Sequence, residues 1–136
     1  NDGMGAYVAG QMVKAMLKRG VPVNGARVLV MGLAFKENCP DLRNTRVVDV
    51  VRELEDYGVV VDVHDPCVNL AGAKAAYGFD LVEIPGVGVY DGVILAVAHD
   101  AFREVGAAAV RSYGRARHVL YDLKHMFAAD ESDIRL

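Results

Sequence analysis

Few side chains in this sequence are of a kind that binds or reacts, and they gather in short polar stretches that follow apolar runs. The richest stretch is Gly32-Leu33-Ala34-Phe35-Lys36-Glu37-Asn38-Cys39-Pro40-Asp41-Leu42-Arg43-Asn44-Thr45. It carries a lysine, an arginine and two acids just ahead of a helical pattern. Cations beside a helix N-terminus suit an anion, because free backbone N–H groups and positive side chains then point the same way. The competing reading is a solvated loop in which Lys36 and Arg43 pair with Glu37 and Asp41. The stretch is not G-x-G-x-x-G, so the ordinary dinucleotide fingerprint is missing. Further on, Asp122-Leu123-Lys124-His125 follows the last apolar run and puts Lys124 near the same edge as Lys36. Two lysines and an arginine meeting there suit a diphosphate.

Other reactive residues are less decisive. In His64-Asp65-Pro66, Asp65 ends an apolar run, where an acid can accept a hydrogen bond from a ribose hydroxyl. It can equally be an acidic turn starter ahead of Pro66. In His99-Asp100, Asp100 can cap a helix and His99 reads as a polar loop residue. Cys39 has no general base at a defensible spacing and reads as an incidental thiol. The four histidines show no H-x-x-x-H or C-x-x-C spacing, so no metal site is assigned. No Ser-His-Asp set can be assembled either.

The elements that must position these residues follow from periodicity. Met4, Val8, Met12 and Met16 recur every four residues, with Lys18 and Arg19 near the end of the segment. This predicts a helix from Met4 to Arg19, ended by Gly20 and Pro22. It either packs on this domain or is the tail of a longer helix. Ala26–Leu33, Val59–His64, the run within Tyr90–Ala98, and His118–Leu123 are mostly apolar, as strands buried on both faces must be. Phe79–Ile84 is a further short strand candidate. Helices are predicted from Asn44 or Thr45 to Tyr57, over Ala71–Tyr77, and over Ala101–Tyr113. In the last, Phe102, Val105, Ala109 and Ser112 fall along one face. The alternation predicts an α/β domain: a Rossmann-like, doubly wound parallel sheet of about five strands, helices on both faces, preceded by one linker helix.

Composition narrows the function classes. The chain has 136 residues, is 53% hydrophobic and 24% charged, and carries a net charge of −3. That is one globular domain, not a disordered or collagen-like chain. Without a basic block, a strong nucleic-acid binder is not expected. No apolar run is long enough for a membrane span. Two cysteines, Cys39 and Cys67, are too few for a disulfide framework and suit a reducing cytoplasm. The chain opens Asn1-Asp2-Gly3 without an initiator methionine or signal peptide, which suggests a piece of a longer protein.

Gly32-Leu33-Ala34-Phe35-Lys36, then Asp41-Leu42-Arg43-Asn44-Thr45, then Asp65-Pro66, resemble the C-terminal domain of the UDP-glucose/GDP-mannose dehydrogenase family. The opening Asn1-Asp2-Gly3-Met4 and the closing Asp122-Leu123-Lys124 match as well. The run from Lys36 to Thr45 is most similar to the branch acting on UDP-N-acetylglucosamine or UDP-N-acetylgalactosamine, which feeds bacterial capsule and O-antigen synthesis. The resemblance implies a parent enzyme with an N-terminal NAD-binding domain, a central helical dimerisation region and this UDP-sugar-binding domain. It implies two hydride transfers to NAD, passing through a thiohemiacetal on a catalytic cysteine that precedes this segment, and a homo-oligomer. Residues 1–20 would end the central helix and residues 21–136 would form the UDP-sugar domain. By position, Lys36 matches a lysine that contacts the UDP-sugar, and Arg43 an arginine that reaches NAD. Lys124 stands where many members carry an arginine on the substrate. No catalytic residue falls within the segment, so the chain alone is expected to be inactive. The alternatives are a stand-alone nucleotide-binding module and the UDP-glucose or GDP-mannose branch.

Overall fold

The computed structural model describes residues 3–136; Asn1 and Asp2, which open the Asn1-Asp2-Gly3-Met4 match, lie outside the described residues. Four helices and five strands follow in the order α1 (Met4–Lys18), β1 (Arg27–Met31), α2 (Val47–Asp56), β2 (Val60–His64), α3 (Leu70–Tyr77), β3 (Tyr90–Leu95), α4 (Asp100–Ser112), β4 (Gly114–Asp122) and β5 (Ile134–Arg135). The strands form one sheet in the order β2-β1-β3-β4-β5, and every pairing is parallel. This is the predicted Rossmann-like architecture.

Alternation along the central strands separates two cores. Val28, Val30, Ile94, Val119 and Tyr121 face α1 and α2. Leu29, Met31, Val93, Leu95 and Leu120 face Phe102 and Val110 of α4. Helix α1 therefore packs on this domain, with Val8, Ala9, Met12 and Met16 buried. Gly92, in the middle of β3, makes the close approach feasible: a Cβ there would stand 2.2 Å from the Met12 methyl. Helix α2 buries Val47, Val50, Val51 and Leu54, the predicted face. Its first turn is held by Thr45, whose Oγ1 accepts from the Val47 N–H at 3.2 Å.

Three expectations are corrected. Phe79–Ile84 is not a strand. It lies along β2 with one ladder-like bond, from the Val82 N–H to the Val63 carbonyl at 2.8 Å, and Pro85 comes immediately after it. The fifth strand is Ile134–Arg135, two residues with no apolar run to announce them. In α4 the apolar face is Phe102 and Val110, while Val105 is 49% exposed. Gly106 breaks the helix with φ of 86° and resets the phase of its second half.

The short β5 is held by Asp133. Its carboxylate accepts from Arg111 at 2.6 Å, from Arg19 at 2.6 Å and from the Leu120 N–H at 2.7 Å. Burial alone would raise this carboxyl, but the Arg111, Leu120 and Arg19 bonds outweigh it and draw it from 3.8 down to about 2. A group lowered on folding stabilises above its unfolded value and loses that contribution as pH falls through its folded value. Asp133→Asn is therefore expected to lower stability by about 1–3 kcal/mol at pH 7. The gap between variant and parent in thermal unfolding should close as pH falls from 3.8 to about 2. A gap independent of pH would contradict this role.

Candidate functional site

In a sheet of this order the topological switch lies between β1 and β3, and ligands bind beyond the carboxyl ends of those strands. A cleft of about 390 Å³ opens there. The segment after β1 contributes Ala34, Phe35 and Lys36, the start of α2 contributes Thr45 and Arg46, and the turn after β3 contributes Val97 and Ala98. The segment after β4 adds Lys124. Lys36 and Lys124, separated by most of the sequence, thus line one cavity beside the N-terminus of α2. Among the described residues neither lysine side chain makes an ion pair. The expected ion pair with Asp41 forms for Arg43, while Lys36 is exposed at the rim of the cleft and pairs with neither Glu37 nor Asp41.

Arg43 does not line the cleft. Its guanidinium grips Asp41 with two bonds of 3.0 Å and stands 86% exposed. The Arg43 side chain and backbone N–H draw the Asp41 carboxyl down to about 2. The structure therefore gathers Lys36 and Lys124 but leaves Arg43 on the outer surface of the same loop.

Buried carboxylates set the two lysine-bearing loops. Asp65 follows the end of β2, as expected, and its side chain is fully buried. Its Oδ2 accepts from the Leu33 N–H at 2.7 Å, the Ala34 N–H at 2.9 Å and His99 Nε2 at 2.9 Å. Its Oδ1 accepts from the Cys67 N–H at 2.8 Å. Burial raises this carboxyl, yet the bonds from His99, Leu33, Ala34 and Cys67 more than offset it and leave it lowered. Asp122 repeats the device at the end of β4. It accepts from the N–H groups of Lys124 at 3.2 Å, Met126 at 3.1 Å and Phe127 at 3.0 Å. Gly32 permits the turn out of β1: its φ is 107°, and a Cβ there would lie 2.6 Å from Val97 Cβ.

His99 lies in the loop ahead of α4, as expected, but not on the surface. It is fully buried, edge-on to Phe102, between Asp65 and Asn38. Asp65, Cys67 and His99 bring their donor atoms within 4.8 Å of one another, a grouping the scattered sequence positions gave no sign of. Each already has a protein partner: Asp65 holds four N–H groups, and His99 Nδ1 takes the Asn38 N–H at 2.9 Å with Cys67 Sγ at 3.5 Å. Burial pushes the Cys67 thiol up, and the charges of Asp65 and Cys39 push it further. A thiol raised in this way is a poor nucleophile at neutral pH. Asn38 and Asp122 are the contributors that sequence reasoning missed. Asn38 sits at φ of 56°, and nothing short of the tertiary fold shows which amide it offers or to whom.

Residues 29–129 match the UDP-glucose/GDP-mannose dehydrogenase family, UDP binding domain. The chain belongs to that family. Among curated members of the family, it is 61% identical over 136 residues to the UDP-N-acetyl-D-glucosamine 6-dehydrogenase of Pseudomonas aeruginosa. It is 47% identical over 136 residues to the enzyme of the same name from Salmonella typhi. Each alignment covers 100% of this chain and 32% of the relative, so the chain spans about a third of their length. Among solved structures, a UDP-D-ManNAc dehydrogenase from Pyrococcus horikoshii superposes with a TM-score of 0.76 at 24% identity. That superposition covers 99% of this chain and 31% of that one, and shows the fold. No helix among the described residues is long and apolar enough to cross a membrane.

Asp65→Ala would strand the Leu33, Ala34 and Cys67 amides and the His99 Nε2–H in a buried place. A buried donor left without a partner costs about 1–3 kcal/mol. The expected loss is about 3–5 kcal/mol in urea unfolding, with Asp65→Asn intermediate because it retains one acceptor oxygen. An Asp65→Ala midpoint equal to the parent's would show that these bonds do not hold the loop.

Proposed function

We propose that this chain is the C-terminal UDP-sugar-binding part of an NAD-dependent nucleotide-sugar 6-dehydrogenase, and that its cleft takes the diphosphate. The observation that carries the reading is the convergence of Lys36 and Lys124 on one cleft at the N-terminus of α2. A diphosphate presents several charged oxygens, and ammonium groups and free amides at a helix start complement them. Lysine meets such an anion as a point charge rather than a planar fork, so Lys124 gives attraction with less orientation than an arginine. The names of the two curated relatives favour a UDP-N-acetylhexosamine substrate and a place in bacterial polysaccharide synthesis.

NAD is assigned to another part of the protein. The turn after β1 lacks the glycine fingerprint, and Asp65, the strand-end acid suited to a ribose hydroxyl, is consumed by four internal bonds. This chain's contribution to the cofactor is Arg43, exposed and preset by Asp41, outside the cleft. NAD when bound accepts the hydride; the residues here hold the sugar nucleotide and close one wall of the site. In the parent protein residues 1–20 end a central helical region, α1 serving as the splice onto residues 21–136, and the enzyme is a cytoplasmic homo-oligomer.

Titration of the chain with UDP by calorimetry tests the reading. Lys36→Ala and Lys124→Ala should each weaken UDP by roughly ten- to hundred-fold, the worth of a charged hydrogen bond to an anion. Arg43→Ala should leave UDP affinity intact and, in the longer enzyme, weaken NAD use. The chain alone should form no NADH with UDP-N-acetylglucosamine. UDP affinity indifferent to both lysines would remove the cleft from the account. Turnover by the chain alone would overturn its assignment as a binding part.

A further inference from the structure

Lys36 lies between two anchored amides. On one side the Ala34 N–H is held by Asp65 at 2.9 Å. On the other the Asn38 N–H is held by His99 Nδ1 at 2.9 Å. His99 and Asp65 are themselves joined, Nε2 to Oδ2, at 2.9 Å, and both side chains are fully buried. The proton placement is set by the partners. A backbone N–H can only donate, so Nδ1 carries the lone pair; a carboxylate oxygen accepts, so Nε2 carries the hydrogen. Asn38 also returns a bond, its Oδ1 accepting from the Asp100 N–H at 2.9 Å at the start of α4. The loop is thus stitched to α4 in both directions, and the Phe35 N–H closes it internally on the Asp41 carbonyl at 2.7 Å.

We propose that His99 is a positioning residue for the diphosphate site: through the Asn38 amide it fixes the loop that presents Lys36 to the anion. This rests on the reading of the cleft as a diphosphate site and adds a residue that never touches the ligand. An ammonium on a flexible stem profits from a fixed base, because less freedom is lost when the anion binds. The two ring nitrogens perform different tasks, and the tasks can be separated. Nε2–H supports the buried Asp65; Nδ1 holds the loop.

Two substitutions divide them. His99→Gln keeps an amide N–H in the place of Nε2 and loses the acceptor at Nδ1. His99→Asn keeps an oxygen in the place of Nδ1 and loses the donor to Asp65. Because Asp65 is buried and Asn38 is exposed, where water can replace the lost acceptor, stability should fall in the order parent, His99→Gln, His99→Asn. UDP affinity should fall in a different order. His99→Gln should bind about three- to ten-fold more weakly than the parent, and His99→Asn should bind more tightly than His99→Gln despite being less stable. A merely structural histidine would make affinity follow stability, and that outcome overturns the proposal.

The second readout is hydrogen exchange of the Asn38 amide, which needs no ligand. It should speed up in His99→Gln and stay slow in His99→Asn. If the parent chain binds no UDP, the reading of the cleft fails, and the exchange rates alone decide whether His99 holds the loop. Equal Asn38 exchange in all three proteins would overturn the proposal whatever UDP does.

Discussion

A buried carboxylate that accepts backbone N–H groups is the interaction on which the site depends. Asp65 and Asp122 stand at the ends of segments along the sheet's carboxyl edge, both buried. A carboxylate taken out of water is costly unless its lone pairs are filled. Here they are filled by the amides of the loops that leave β1 and β4. The same bonds that make burial tolerable fix the backbone just ahead of Lys36 and from Lys124 onward. The lysines can then stay unpaired, because the loops beneath them do not need their charge for support.

The rest of the molecule supplies the frame for that edge. Two apolar layers hold the parallel strands in register, one against α1 and α2 and one against α4. Helix α1 sits close enough to β3 that Met12 and Met16 fill the space over Gly92, where a side chain would require Met12 to shift. At the carboxyl end the close contact between Gly32 and Val97 draws the exits of β1 and β3 together. The cleft therefore lies where the strand order reverses, lined by segments after three strands and by the first turn of α2.

Much of this architecture is written locally in the sequence. The apolar runs at Arg27–Met31 and Tyr90–Leu95 mark strands because both their faces are covered, whereas Val60–His64, at the edge of the sheet, forms a strand with Val60 exposed and only Val63 buried, not the doubly covered strand expected. The four-residue recurrence of Met4, Val8, Met12 and Met16 marks α1. Features decided by tertiary contacts were not legible. Ile134–Arg135 is paired with β4, packed through Ile134 on the core and tied by Asp133 to Leu120, Arg111 and Arg19, all of them contacts distant in sequence. Phe79–Ile84 has strand-like composition but gains just a single backbone–backbone bond to β2, beside one from the His64 side chain to the Val82 carbonyl. At the site, the charge pattern pointed to Lys36 and Lys124, and the structure gathers them. The turn-starter reading of Asp65 is met by its bond from the Cys67 N–H two positions on, but its hold on the loop after β1 and its pairing with His99 were not readable, because those partners lie more than thirty positions away. A strand-end acid reads as ligand-facing whenever its internal partners are out of view.

Where UDP touches the chain can be measured residue by residue, by amide NMR titration of the ¹⁵N-labelled chain, and no other measurement bears so directly on the cleft. The largest shifts should fall on Ala34–Lys36, on Thr45–Val47 at the start of α2, and on Leu123–Lys124. Shifts gathered instead along β2 and the Phe79–Ile84 segment, with the two lysine loops silent, would contradict the diphosphate site.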